Sequence, residues 1–175
     1  MRQLADVERI HRFMAALGAE ADGYGWVYFT GGATAVLLGW QAVTIDINLK
    51  LVPELDPVLN AIPRLKDQLQ INVELASPAD FIPVKPGWED QSPFIARAGL
   101  LSFHHFDLYA QALAKLERSH TQDIADVEEM LRRGLIDPAA ALDYCAAIAP
   151  DLYRYPAVDP AAFRAAVEQR FGPVR

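Results

Sequence analysis

Two glycines, thirteen residues, and then an acid two positions before an amide form the arrangement in this chain best suited to chemistry: Gly31-Gly32, followed by Asp46-Ile47-Asn48. On an extended strand Asp46 and Asn48 project to the same side. Glu74 lies on the polar face of a later strand and meets them where the two strands are neighbours. Two or three oxygen ligands converging on an open face are how a Mg²⁺ site for phosphate chemistry is built. A glycine pair at a strand-to-helix turn lets backbone N–H groups approach a triphosphate at the start of the helix. The pair is not a Walker loop, since no Gly-Lys-Ser/Thr follows, and the chain has no Gly-x-Gly-x-x-Gly.

The elements that must position these residues are legible from periodicity. From Val43 to Leu51 the odd positions are apolar and the even ones are Thr44, Asp46, Asn48 and Lys50. From Leu69 to Leu75 the odd positions are again apolar, with Gln70, Asn72 and Glu74 between them. Each strand therefore has one apolar and one polar face, and the sheet packs helices on one side only. Trp26 to Phe29 reads as a further strand ending at the glycine pair, with a helix from Ala33 to Leu38 closed by Gly39. Leu4, Val7, Ile10, Phe13, Met14 and Leu17 recur at helical spacing, and Leu55 to Lys66 reads as a helix despite Pro57 and Pro63. Residues 77–93, rich in Pro and Gly, read as a loop over the sheet. Phe94–Ala96 and Leu100–His104 flank Arg97-Ala98-Gly99 as a hairpin. Four helices follow, two of them starting at Asp137-Pro138 and Asp159-Pro160, with Asp as cap and Pro in the first turn.

Composition bounds the partners. The chain has 175 residues, 16 basic against 23 acidic, and a formal charge of −7, which argues against a general nucleic-acid coat. Arg97, Lys115 and Arg118 make a local positive stretch suited to one triphosphate. One cysteine excludes an intrachain disulfide framework and a Cys-rich zinc site. The N-terminal stretch carries charges throughout and no run approaches the length of a membrane span, so a cytoplasmic protein is expected, with no membrane partner. His104-His105 is not a metal pair, because strand neighbours point to opposite faces. Cys145, Trp40 and Trp88 read as packing residues. Asp123–Arg118 and Asp126–Lys115 read as pairs on charged outer helix faces, each worth ~0–1 kcal/mol.

The string Phe29-Thr30-Gly31-Gly32, Gly39-Trp40-Gln41 and Thr44-Ile45-Asp46-Ile47-Asn48-Leu49 resembles the signature of the nucleotidyltransferase fold shared with polymerase-β-like enzymes. More narrowly, it is similar to minimal bacterial nucleotidyltransferase-like proteins related to the abortive-infection toxins of toxin–antitoxin systems. Val73 to Phe81, Gly87-Trp88-Glu89-Asp90, Ala114 to Arg118 and Gln122 to Val127 extend the likeness across residues 24–136. The resemblance implies transfer of a nucleoside monophosphate from an NTP, with loss of pyrophosphate, assisted by Mg²⁺ or Mn²⁺. It makes Asp46, Asn48 and Glu74 the metal ligands, with Glu74 as the third carboxylate that orients or deprotonates the attacking hydroxyl. Gly31, Gly32 and Thr34 are implied around the nucleotide, Lys115 near the triphosphate, Arg118 beside phosphate, and Asp123 as an acidic residue on the following helix. The family carries Asp or Glu at position 48 and Arg at position 41. Asn48 and Gln41 keep the approximate shape and remove the charge, so a weakened activity is implied.

The fold expected is α+β: a small mixed sheet with helices on one face, the nucleotidyltransferase fold, over residues 1–105, and a helical region over 106–175 packing on it. The function expected is Mg²⁺-dependent nucleotidyl transfer to a tRNA, another RNA or a protein acceptor in a toxin–antitoxin or phage-defence setting, with a cognate antitoxin or toxin as partner. The alternative is a catalytically silent module that binds nucleotide or a partner protein. Asn48 is the residue that discriminates the two.

Overall fold

The computed structural model describes residues 2–173. The chain divides into two compact units, one running to Ser77 and taking in Ser92–Phe106, the other made of Pro78–Gln91 and everything from Asp107 onward.

The first unit carries the sheet. Helix α1 (Val7–Gly18) begins where the Asp6 carboxylate accepts from Arg9 N–H, satisfying one of the amides that a first turn leaves unpaired. Its buried stripe is Ile10, Phe13, Met14 and Leu17; of the other two residues at the expected spacing, Leu4 precedes the helix and Val7 stands in its first turn, and both are exposed. Strand β1 (Gly25–Thr30), α2 (Gly32–Leu38), β2 (Asp46–Val52), α3 (Asp56–Leu69), β3 (Asn72–Leu75), β4 (Phe94–Ala98) and β5 (Leu101–His105) follow. The sheet order is β3-β2-β1-β5-β4. β2 and β3 run parallel, which the return through α3 permits, while β4 and β5 are an antiparallel hairpin. β1 is antiparallel to β2 and parallel to β5, so the sheet is mixed.

Alternation along β2 decides what each face holds. Ile47, Leu49 and Leu51 are buried in one core with Val27 and Phe29 of β1, Val73 of β3, Leu101 and Phe103 of β5, the α1 stripe, and Val58, Ala61, Ile62 and Leu65 of α3. Asp46, Asn48 and Lys50 stand half-buried on the other face. Two boundaries differ from the alternating pattern. Thr44 makes a single bridge to Ala5, and regular pairing begins only at Asp46. Helix α3 continues through Leu69 and stops at Gln70, whose φ of 54° is left-handed, so β3 begins at Asn72. A Leu at position 69 satisfies the strand pattern and the helix pattern alike, and the helix, already propagating, takes it.

The second unit is helical: α4 (Leu108–Arg118), α5 (Thr121–Arg132), α6 (Pro138–Ile148) and α7 (Pro160–Phe171). Asp137 and Asp159 cap α6 and α7 by accepting from Ala140 N–H and from Ala161 and Ala162 N–H. Residues 77–93, expected as a plain loop, hold 3-10 turns at Pro78–Asp80 and Trp88–Gln91. Two tyrosines tie this segment into the helical unit: Tyr155 O–H donates to the Ala79 carbonyl at 2.7 Å, and the Tyr144 hydroxyl accepts from Lys85 N–H at 3.1 Å. The architecture is α+β, a five-stranded mixed open sheet with seven α-helices among the described residues. None of those helices is long and apolar enough to cross a membrane.

The glycine pair between β1 and α2 is required by the chain itself. Gly31 holds φ +63° and ψ −129°, a conformation that residues with a Cβ rarely adopt. A Cβ at Gly32 would overlap the Thr44 hydroxyl and lie 2.6 Å from the Thr44 Cβ. Gly32→Ala should therefore cost about 1–3 kcal/mol, the usual penalty for overpacking, read as a lower urea midpoint. Gly23→Ala, where the nearest atom is 3.8 Å away, is the control and should change the midpoint far less. Equal midpoints for Gly32→Ala and wild type would contradict the packing argument.

Candidate functional site: the polar face of β2 and β3

The parallel register places Asp46 beside Asn72 and Asn48 beside Glu74, and the antiparallel register places Asn48 beside Thr30 on its other side. Asn72 Nδ2 donates to Asp46 Oδ1 and lies 3.5 Å from Glu74 Oε1. One amide thus reaches two carboxylates, a charge-assisted contact that orients Asp46. Asn48 Oδ1 is buried and has no hydrogen-bond partner among the described residues. Leaving a buried acceptor unsatisfied costs ~1–3 kcal/mol, so this oxygen sits poised for a donor or a cation. The turn is tied to the same place: a Cβ at Gly31 would lie 3.6 Å from Asn48 Nδ2. Thr44 O–H, packed on Gly32, donates to the Asp46 carbonyl at 3.0 Å. Gly31, Gly32, Asp46, Asn48 and Glu74 are therefore one neighbourhood of the first unit.

Thr34, expected beside a nucleotide, is spent inside the core. It is fully buried, donates its hydroxyl to the Phe29 carbonyl at 3.3 Å, and lies 3.0 Å from His105 Nδ1. The reason is its place on α2, as the third residue of that helix, on the face that lies against the sheet. His105 is its partner on the core side of β5. Burial, helped by the charge of neighbouring His104, brings the His105 pKa down to about 4, so the imidazole there is neutral at physiological pH.

Lys115, Arg118 and Asp123 belong to the second unit and gather around each other. Lys115 Nζ lies 2.8 Å from Asp126 Oδ2 and 3.7 Å from Asp123 Oδ1. Arg118 grips Asp123 through two N–H···O bonds of 2.9 and 2.6 Å. These pairs were expected on solvated outer faces, but Lys115, Asp123 and Asp126 are all buried. The difference is physical: α4 packs against α5, and the charged faces meet across that contact. Burial by itself would raise the Asp123 carboxyl; the Arg118 hydrogen bond and the charges of Arg118 and Lys115 outweigh it and hold the carboxyl below the usual range. Both cations expected at phosphate thus already neutralise carboxylates of their own unit.

The donor set on β2 and β3 fits a hard divalent cation in kind. Among the described residues no three His, Cys, Asp or Glu side chains gather as a metal group, and the third oxygen here is the amide of Asn48. Mg²⁺ needs only one or two carboxylates when substrate phosphates complete its shell, and Asp46, Glu74 and the unpartnered Asn48 Oδ1 supply that much. Sequence reasoning did not single out Asn72, Thr44 or Lys50, which stand around the same carboxylates. Alternation puts Asn72 and Lys50 on the polar face, but only the strand register and the Asn72 hydrogen bonds show that Asn72 joins Asp46 to Glu74, while Lys50 follows Asn48 by two residues on the same face of β2. No protein-family model, curated protein or solved structure matches the chain.

The His105 environment makes a pH prediction. An unfolded His105 takes up a proton near pH 6.5 and the folded one only near pH 4, so the unfolded chain binds more protons in that window. Stability is then fully present above pH 6.5 and falls by on the order of 3 kcal/mol as the pH drops to 4. In His105→Asn, whose amide stands near the position of Nδ1, urea unfolding across the same window should show a clearly shallower fall. Equal slopes would rule out the assignment.

Proposed function

We propose that the chain is a nucleotidyltransferase-type protein that binds an NTP and a divalent cation on the polar face of β2 and β3 and transfers the nucleoside monophosphate slowly to an RNA or protein acceptor. The observation that carries this reading is Asn48 Oδ1, a buried acceptor without a partner, flanked by Asp46 along the strand and Glu74 across it. Asp46, Glu74 and Asn48 would hold Mg²⁺ or Mn²⁺, and Asn72 keeps the Asp46 carboxylate turned to its task. The ion would supply charge neutralisation at the phosphates and a lowered barrier at phosphorus. Glu74 is the base that takes the proton of the attacking hydroxyl. The Gly31-Gly32 backbone, bare of side chains, lets the nucleotide approach, and Lys50 adds positive charge on the same face. The Gly-Gly…Asp-x-Asn likeness to minimal bacterial nucleotidyltransferases supplies the acceptor class, a tRNA among the RNAs, and the toxin–antitoxin or phage-defence setting with its cognate partner.

A second reading is favoured by a separate observation. Lys115 and Arg118 are engaged by Asp126 and Asp123, and Asn48 has one negative charge fewer than a carboxylate, which is the profile of a silent module that binds nucleotide without transferring it.

Labelled NTPs with Mg²⁺ or Mn²⁺, total RNA and cell protein separate the two. The transfer reading predicts weak labelling by the wild type, a rise of about tenfold or more in Asn48→Asp, equivalent to at least ~1.4 kcal/mol of barrier, and none in Asp46→Asn. Metal-dependent NTP binding by calorimetry, with no transfer by either the wild type or Asn48→Asp, would leave the silent module standing. Neither binding nor transfer would overturn both.

A further inference from the structure

The second unit contains a cavity of about 540 Å³ walled in part by Trp88, Tyr109 and Tyr144, a volume that suits a small ligand. Tyr109 and Tyr144 stack with their centroids 6.4 Å apart and 12° between planes, and Tyr144 and Trp88 are buried. The aromatic faces are therefore held in place. Asp90 and Asp107 line the same cavity, against one cation, Lys85. Asp107 is 1% exposed and accepts from Tyr109 N–H at 3.0 Å.

Lys85 shows what this environment favours. Its Nζ lies 5.3 Å from the centroid of the Tyr144 ring. Burial raises the Asp107 carboxyl above its usual range, against the hydrogen bonds of Tyr109 and Tyr144 and, least of all, the Lys85 charge. An ammonium group over a ring face is a recognised arrangement for cations, and the hydroxyl of the Tyr144 ring is hydrogen-bonded to the buried Asp107 carboxyl. Lys85 is itself an exposed residue. Its backbone N–H is pinned by the Tyr144 hydroxyl at 3.1 Å, so the chain is anchored while the four-carbon stem is the part able to swing away.

We propose that this cavity binds a small organic ammonium ion, of the alkyl diamine or polyamine class, whose charged head takes the place on the Tyr144 ring that the Lys85 ammonium otherwise fills. Lys85 then acts as an internal competitor, an exposed group that leaves the ring when ligand arrives. The excess of carboxylate over cation in the wall and the net charge of −7 both draw cations toward the protein. None of these residues belongs to the β2–β3 face, so the proposal stands independently of nucleotide chemistry.

Calorimetric titration of the full chain with putrescine, and with 1,4-butanediol as its neutral counterpart, is the test. Putrescine should bind, more weakly as salt is added, and butanediol should not. Lys85→Gln should bind putrescine a few-fold more tightly than wild type, because the competitor is gone. Tyr144→Leu should lose roughly 2- to 30-fold, the span of a cation–aromatic contact. NMR of the wild type avoids any dependence on variant folding: the Lys85 ε-methylene signal should move away from its ring-shifted position as putrescine saturates. Equal binding of butanediol, unchanged or weaker putrescine binding by Lys85→Gln, or a Lys85 signal that stays still would each overturn the proposal.

Discussion

The candidate site depends on one register, the parallel pairing of β2 with β3. Side chains alternate with a period of two, so a slip of one residue in β3 would send Glu74 and Asn72 to the core side and bring Val73 out. That slip is blocked because Val73 fills the same core as Ile47 and Leu49. Apolar packing on one face thus sets the polar chemistry on the other. The Asn72 amide then joins Asp46 to Glu74, and Asn48 is left beside them with an oxygen that no described residue satisfies.

The two units handle charge in opposite ways. In the second, Lys115, Asp123 and Asp126 are buried and paired, and the exposed Arg118 closes on Asp123, so each charge meets its counter-charge. Removing a buried partner such as Lys115 strands the carboxylates around it away from water and costs ~3–5 kcal/mol, so these residues are bound first to the integrity of α4 and α5. On β2 and β3 a neutral amide, that of Asn72, bridges the two carboxylates. An unbalanced pair of carboxylates beside an unsatisfied oxygen is the arrangement that gains from a cation, whereas a balanced cluster gains nothing from a phosphate.

Much of the fold was legible because its signals were local. The alternation of β2, the helical stripe of α1 and the Asp-Pro starts of α6 and α7 each depend on a few neighbouring residues, and each element forms there, with β2 and α1 starting about three residues later than their patterns do. The convergence of Asp46, Asn48 and Glu74 followed from alternation once β2 and β3 proved adjacent. What stayed hidden depends on pairing across the chain. Thr34 looks like a nucleotide ligand beside two glycines, yet His105, 71 residues away, claims its hydroxyl. Lys115 and Asp126 look like solvated helix residues until α4 meets α5. The part played by Asn72 needs the strand register, and the ammonium on Tyr144 needs a segment with no regular secondary structure.

The most direct test of the central claim is where a paramagnetic cation settles. With Mn²⁺ added in small amounts to ¹⁵N-labelled protein, relaxation enhancement falls steeply with distance from the ion. The side-chain amide signals of Asn48 and Asn72 should broaden first, and Asp46→Asn should abolish the effect. Broadening centred on residues elsewhere, or Asn48 and Asn72 amides that stay sharp while others fade, would contradict a cation site on β2 and β3.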